Sequence, residues 1–423
     1  MRVLWLCNRL LEDRDGGASG TWLGAMAQGL LKAEAIELGI IGFGVAKRFA
    51  RADYGKVQQW AVPGKMTLTG RDGLPPAALV QLIVEAAQGF RPDLIHVWGT
   101  ERFWGLLTAR KLLRQPALLE IQGLKFLWWA FFYGGLSLPE RLACIGIKEV
   151  LKRRALYHER RDFLRWGAFE REMIRGHRFI DAQSPWTAAH LKAINPGARL
   201  FKADRALRAA FGSAAPWQYA GRPVVFTTAA YSAPFKGLHV AIRAIALLRQ
   251  RCPGVRLSIA GPHQRSGIRR DGYVRWINRL VHELGMDRQV EWLGALPAAG
   301  IARELQSAGA ALIPTFVESY CVAMAEAMHV GTPTVAAFTG GTSYLGRDEQ
   351  TCLFFPPGDA EMCAFQLDRV LNDRDLALRL SRQAREAASA RQDGQRVVLR
   401  QIETYEQCLG APAASGQRAP PGG

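Results

Sequence analysis

Residues 311–337 read ALIPTFVESYCVAMAEAMHVGTPTVAA. The run at 311–314 is short and apolar, as a buried parallel strand requires. A turn at 315–317 leads through Glu318-Ser319-Tyr320-Cys321 into a helix that reaches about His329. Gly331 stands where a left-handed residue stops a helix, and Pro333 blocks its continuation. A second buried strand starts at Thr334. This is one βαβ unit, with Glu318 at the loop-to-helix junction on the carboxyl edge of the sheet, where open α/β sheets bind ligands. The amides at the helix start, those of Tyr320, Cys321 and Val322, are expected to face a phosphate.

Outward from this unit, short apolar runs alternate with helical patterns, the signature of parallel α/β architecture. Strands are expected at 3–7, 36–41, 94–98, 118–121 and 179–182, and again at 224–228, 257–260, 290–293, 311–314 and 334–337. Helices fit 21–33, 77–89 and 185–194. The small, polar, proline-bearing stretch 212–222 reads as a linker. The expected organisation is therefore an N-terminal Rossmann-like domain over 1–212, a second over 222–390, a C-terminal helix over 391–409 and a disordered tail over 410–423.

Glu318 and Glu326 are eight residues apart. On a helix that is roughly 12 Å, wider than the roughly 5–9.5 Å of paired glycosidase carboxylates. Such spacing suits one extended ligand held at two points.

The segment from Glu318 to Glu326, with Ala327-Met328 and Gly331-Thr332-Pro333 after it, resembles the E-x7-E motif of family 4 retaining glycosyltransferases of the GT-B fold. That resemblance implies two Rossmann-like domains facing across a cleft. It gives Glu318 the donor-sugar hydroxyls and Glu326 the nucleotide ribose. Lys236-Gly237, between a strand and an apolar helix, resembles the family's Lys-Gly pair, whose lysine stabilises the departing diphosphate. Ala260-Gly261-Pro262 and Leu293-Gly294 sit at strand ends and are expected to line the nucleotide pocket, with Ser319, Tyr320, Cys321 and Val322.

In the N-terminal half, Gly16-Gly17 resembles the glycine-rich loop near the donor phosphates. It is not the dinucleotide fingerprint G-x-G-x-x-G, which weakens an NAD-binding reading. The run from His96 through Gly99 and Thr100 to Glu101, and Ile121-Gln122-Gly123, resemble strand-end motifs of the acceptor cleft. This assigns His96 and Glu101 to the acceptor side and Gln122 to the catalytic centre. Three positions depart from the family pattern. Tyr231 replaces an arginine that neutralises diphosphate, Cys321 replaces a glycine, and Gln122 replaces a histidine.

Composition frames the partners. With 55 Lys+Arg against 37 Asp+Glu, the formal net charge of +18 calls for an anionic partner or a merely basic surface. No nucleic-acid reader motif is present, so nucleic acid is not expected. Seven scattered cysteines without a Cys-x-x-Cys pair speak against a disulfide framework or zinc site and fit a reducing cytoplasm. No D-x-D metal motif stands out, so metal-independent chemistry with a nucleotide-diphospho-sugar donor is expected.

The apolar stretch 118–138 approaches the roughly 20 residues that span a bilayer. Glu120, Gln122, Lys125 and Gly134-Gly135 interrupt it, so a strand followed by an aromatic interfacial segment fits better. The helical stretch 139–176 is rich in Lys148, Lys152, Arg153, Arg154, Arg160, Arg161 and Arg165. With the aromatics before it, this insertion over 124–176 reads equally as a contact with an anionic membrane or as a solvated helix pair. The activity expected is retaining transfer of a sugar to a glycan or lipid-linked acceptor in bacterial surface polysaccharide or glycolipid synthesis. The rivals are a sugar-nucleotide epimerase, a phosphorylase and a non-catalytic sugar-nucleotide binder of the same fold.

Overall fold

The computed structural model describes residues 1–12, 22–34, 36–63, 69–151, 153, 155–202, 204–229, 233–261 and 272–410. Gly16-Gly17, Tyr231, Pro262 and the tail beyond Gly410 lie outside the described residues.

The first sheet has eight strands: β1 (Arg2–Cys7), β2 (Glu37–Gly44), β3 (Ala50–Arg51), β4 (Gln58–Pro63), β5 (Leu94–Trp98), β6 (Ala117–Glu120), β7 (Phe179–Asp181) and β8 (Arg199–Phe201). Their order is β3-β4-β2-β1-β5-β6-β7-β8, parallel throughout except for the β3–β4 pair. Val3–Cys7 and all of β5 are buried, which is why these strands read as unbroken apolar runs.

The second sheet has six parallel strands: β9 (Val224–Thr227), β10 (Arg256–Ala260), β11 (Val290–Gly294), β12 (Ala310–Ile313), β13 (Thr334–Ala337) and β14 (Leu353–Phe355). The order is β11-β10-β9-β12-β13-β14, the doubly wound order of a Rossmann fold. Its ligand crevice lies where the winding reverses, between β9 and β12. The first sheet reverses likewise between β1 and β5.

Helices that precede β9 in the chain are α1 (Trp22–Lys32), α2 (Ala77–Phe90), α3 (Trp104–Ala109), α4 (Lys125–Phe131), α5 (Leu138–Ala143), α6 (Ile147–Leu151), α7 (Leu156–Gly176), α8 (Pro185–Ile194) and the short α9 (Ala209–Gly212), whose Phe211 packs into the core of the second half. Around the second are α10 (Leu238–Leu248), α11 (Gly272–Glu283), α12 (Ala298–Ser307), α13 (Val322–Val330), α14 (Thr342–Leu345), α15 (Ala360–Asn372) and α16 (Arg374–Arg391). A last helix, α17 (Gly394–Cys408), crosses back. Val397, Val398, Tyr405 and Cys408 of α17 pack into the core with Trp5 and Trp98 of the first sheet.

Four strands were not expected from periodicity: β3, β4, β8 and β14. Each lies at or next to a sheet edge and is short or half-polar, so it lacks the apolar run that marks a central strand.

The aromatic segment also differs from expectation. Phe126 and Phe132 are buried. Phe132, Leu136, Cys144 and Leu156 join the hydrophobic core of the second sheet. The insertion therefore bridges to the opposite half, and most of its aromatic residues face protein. Gly134 makes this docking possible: its φ is 57°, and a Cβ there would stand 2.3 Å from the Pro234 carbonyl oxygen. His239 Nε2 lies 2.8 Å from the Gly134 carbonyl oxygen, and Arg243 pairs with Glu140. Among the described residues no helix is long and apolar enough to cross a membrane. All seven cysteines are free thiols.

Candidate functional site

Lys236 ends a short 3-10 turn, Pro234–Lys236, on the loop after β9. Gly237 follows with φ 73°. A Cβ at Gly237 would stand 1.8 Å from the Pro314 carbonyl oxygen, so only glycine lets this loop lie against the end of β12. The two loops at the switch point are thereby pressed together. Lys236 Nζ lies 2.5 Å from Glu318 Oε1, both side chains half-buried. Burial by itself would depress the Lys236 pKa, but the Glu318 carboxylate outweighs it and the amine is held above its ordinary value, fully charged.

The approach to α13 differs from the expected helix. Glu318 to Cys321 stay in the loop, and the helix begins at Val322. Cys321 is the N-cap, with φ 79° and ψ 73°. That left-handed conformation strains a non-glycine residue and turns the chain so that Glu318 is aimed back at Lys236. Because Glu318 is off the helix, the helical rise does not set its distance from Glu326. The first helical amides are those of Val322 and Ala323, two positions later than the expected start at Tyr320. The Tyr320 ring is buried and its hydroxyl accepts from Gln392 Nε2 at 3.3 Å, so this side chain braces the turn. The Glu318 carbonyl accepts from the Gly341 amide at 2.8 Å. The Ser319 carbonyl accepts from Ser184 Oγ, the N-cap of α8, also at 2.8 Å. The loop is thus held from both halves of the molecule.

Glu326 lies on α13, nearly fully buried, and receives Arg208 Nη2 at 2.6 Å and Nε at 3.1 Å. Burial raises its pKa to about 6 against the pull of Arg208. Gly261 and Gly294 meet at the ends of β10 and β11, the Gly261 amide donating to the Gly294 carbonyl at 2.7 Å.

Across the cleft, Gly99, Glu101, Gln122 and Gly123 cluster at the ends of β5 and β6. A Cβ on Gly99 would meet Glu101 Oε2 at 2.2 Å and Gln122 Cδ at 3.2 Å; one on Gly123 would meet the Trp128 ring at 2.9 Å. Lys236 Nζ in turn sits 5.7 Å from the Trp128 ring centroid. Trp128 is therefore the wall between the Glu101–Gln122 cluster and the Lys236–Glu318 pair.

His96 does not join this cleft. It is fully buried, stacked on Trp98, with Nδ1 2.7 Å from the Tyr405 hydroxyl of α17. Burial holds its pKa well below the ordinary value. Period-two alternation along β5 turns it to the sheet face that α17 covers, and a strand-end motif cannot reveal that covering. Sequence reasoning also missed Arg208, Trp128 and Ser184. Arg208 carries only a lone-arginine signal, and Trp128 was one of several aromatics without a distinguishing mark.

Two Rossmann-like halves, with a charged pair at the switch point of one and a polar strand-end cluster on the other, make up the GT-B fold. Residues 217–387 match the family model "Glycosyl transferases group 1". Curated relatives include the D-inositol 3-phosphate glycosyltransferase of Nocardia farcinica, 32% identical over 46% of this chain and 42% of the relative. That of Saccharomonospora viridis is 31% identical over 52% of this chain and 49% of the relative. The matches span less than half the length of these relatives. Among solved structures, sucrose-phosphate synthase from Thermosynechococcus elongatus superposes with a TM-score of 0.74 at 17% identity, covering 97% of this chain and all of that one. Anabaena Alr3699/HepE in complex with UDP and glucose does so with 0.64 at 17% identity, covering 96% of this chain and all of that one.

Proposed function

We propose that this protein is a retaining glycosyltransferase. It moves a sugar from a nucleotide-diphospho-sugar to a glycan or lipid-linked acceptor, in bacterial surface polysaccharide or glycolipid synthesis. The observation that carries this reading is the Lys236–Glu318 contact at the β9/β12 switch point, on the half of the chain that matches sugar transferases. Lys236 and the Val322 and Ala323 amides stabilise the diphosphate as it leaves. Glu318 holds the donor sugar and Glu326 the ribose. The bond from the anomeric carbon to the diphosphate oxygen breaks with its electron pair going to that oxygen, through an oxocarbenium-like state. The acceptor oxygen, entering from the Glu101–Gln122 side, bonds the anomeric carbon on the same face and gives its proton to the departing diphosphate. No metal ion is assigned to this step. Tyr320 acts by bracing the turn.

The site of action proposed is the cytoplasmic face of an anionic membrane, held peripherally. Exposed Leu164 shares α7 with Arg161 and Arg165, and exposed Leu138, Leu142 and Leu151 lie on α5 and α6 just before it, an apolar and basic combination that suits such a surface.

Thermal unfolding with a panel of nucleotide sugars tests the reading. The correct donor stabilises the fold by about 2.7 kcal/mol at a hundredfold excess over Kd. A panel in which no nucleotide sugar and no nucleoside diphosphate raises the Tm overturns it.

A further inference from the structure

Arg208 stands on the connection between the two halves, at the N-cap of α9. The charged residues of the run 204–208 are clasped to different elements. Asp204 accepts from the Tyr344 hydroxyl of α14 at 3.0 Å. Arg205 pairs with Glu120, the last residue of β6. Arg208 pairs with Glu326 of α13. The chain behind Arg208 is anchored separately. Phe211 and Trp217 are buried in one core with Ala327 and Val330 of α13. The Trp217 amide donates to the Val330 carbonyl at 2.9 Å, and its indole Nε1 donates to the Ala308 carbonyl at 2.6 Å.

Both bonds from Arg208, Nη2 at 2.6 Å and Nε at 3.1 Å, end on Oε1 of Glu326. Oε2 accepts no hydrogen bond from the described residues. The two side chains are 14% and 6% exposed, and the cost of taking such charges out of water can exceed their attraction. Docking of the connection does not require the pair, since Phe211 and Trp217 already supply apolar anchors.

Glu326 also lines a crevice with Thr227, Thr228, Ile313 and Ala323. That crevice lies at the ends of β9 and β12, where the winding reverses. One carboxylate oxygen is thus fixed by the connection between the halves, and the other is presented to a ligand. Burial pushes the Glu326 carboxyl up to about 6, and Arg208 draws it the other way, towards the charged form that only accepts hydrogen bonds. A pair of vicinal hydroxyls is the donor set that such an oxygen suits.

We propose that Arg208 is a positioning residue for the donor nucleotide: it holds one oxygen of Glu326 so that the other meets the ribose hydroxyls. Arg208 acts through Glu326. The proposal rests on the glycosyltransferase reading above and adds the residue that prepares its ribose contact. Because Arg208 shares one run with Asp204 and Arg205, which grip α14 and the first sheet, the ribose contact is preset by the way the two halves are joined.

The test uses the full chain and the variants Arg208→Met, Arg208→Lys and Glu326→Gln. Methionine removes the charge and keeps an unbranched stem beside the Phe211 ring, whose centroid lies 4.8 Å from Arg208 Cζ. UDP, GDP and ADP are titrated by calorimetry, and the tightest binder is compared with its 2′,3′-dideoxy counterpart. The parent is expected to prefer the ribonucleotide roughly 10- to 100-fold, the worth of hydrogen bonds to a charged acceptor. Arg208→Met and Glu326→Gln should each cut that preference at least about 5-fold, with the dideoxynucleotide bound as before. Arg208→Lys, which keeps the charge, should recover part of it. Arg208→Ala is read in the same way should Arg208→Met not fold. Equal weakening of both nucleotides marks a merely structural role and overturns the proposal. A preference that loss of Arg208 leaves intact or increases also overturns it, as does a parent with no preference; the glycosyltransferase reading then stands. A parent that binds none of the three nucleoside diphosphates overturns both.

Discussion

In the second sheet the loops after β9 and β12 are short, and each puts one charged side chain at the switch point: Lys236 and Glu318. In the first sheet the connection after β6 carries four helices, α4 to α7, before the chain returns as β7. Its residues are shared out: Phe132, Leu136 and Cys144 to the core of the second sheet, Glu170 and Met173 to the interior of the first, and Arg161 and Arg165 of α7 to a cavity. A short loop keeps a functional residue in a position that topology alone dictates. A long insertion releases its residues from topology and lets packing choose their neighbours.

The largest effect that would break this comparison is at Lys236. Lys236→Ala is expected to lower the transfer kcat roughly 10²–10³-fold, the loss typical when one donor to a developing oxyanion is removed. Circular dichroism should show a folded protein, since the side chain is half-buried. Unchanged turnover would take the diphosphate away from the short-loop half. A smaller effect concerns the turn between them. Cys321→Val puts a β-branched residue at φ 79° and should lower the unfolding free energy by about 2 kcal/mol. Cys321→Gly should stay within about 1 kcal/mol of the parent. Urea denaturation of both variants checks this, and equal stability of the two would remove the strain argument.

A third effect, graded by pH, lies under the insertion. Glu170 accepts from Thr100 Oγ1 at 3.0 Å and from the Phe126 amide at 2.9 Å. Its pKa is pushed up to about 8, chiefly by burial, from an ordinary value of 4.5. Between those values the folded state keeps a proton that the unfolded state has lost. Unfolding free energy therefore falls as pH rises through that window, by at most about 1.4 kcal/mol per pH unit. Glu170→Gln should flatten this dependence in urea denaturation at pH 5.5, 7 and 8.5. An unchanged slope would show that the carboxyl is not the group responsible.

Much of the architecture was legible because central parallel strands are buried on both faces and read as apolar runs, as at β1, β5, β9 and β13. Strands at or next to a sheet edge, such as β4, β8 and β14, are short or half-polar and left no such mark. Lys236, Glu318 and Glu326 stood out because their order and spacing resemble a family motif, with Lys236 and Glu318 on loops at strand ends and Glu326 on the helix that follows. His96 misled for the opposite reason: it occupies β5, and whether a strand residue faces a cleft or a helix depends on what covers that face.

The chain's own order of residues determined two α/β halves and the positions of Lys236, Gly237 and Glu318 around a strand–turn–helix, because hydrophobic period and turn chemistry are local properties. Tertiary structure alone decided that Arg208 meets Glu326, that Trp128 stands between two polar clusters, and that α17 seals His96. Those contacts join residues far apart in the chain, and their energies come from desolvation and from packing of complementary shapes, which exist only once the two sheets have come together.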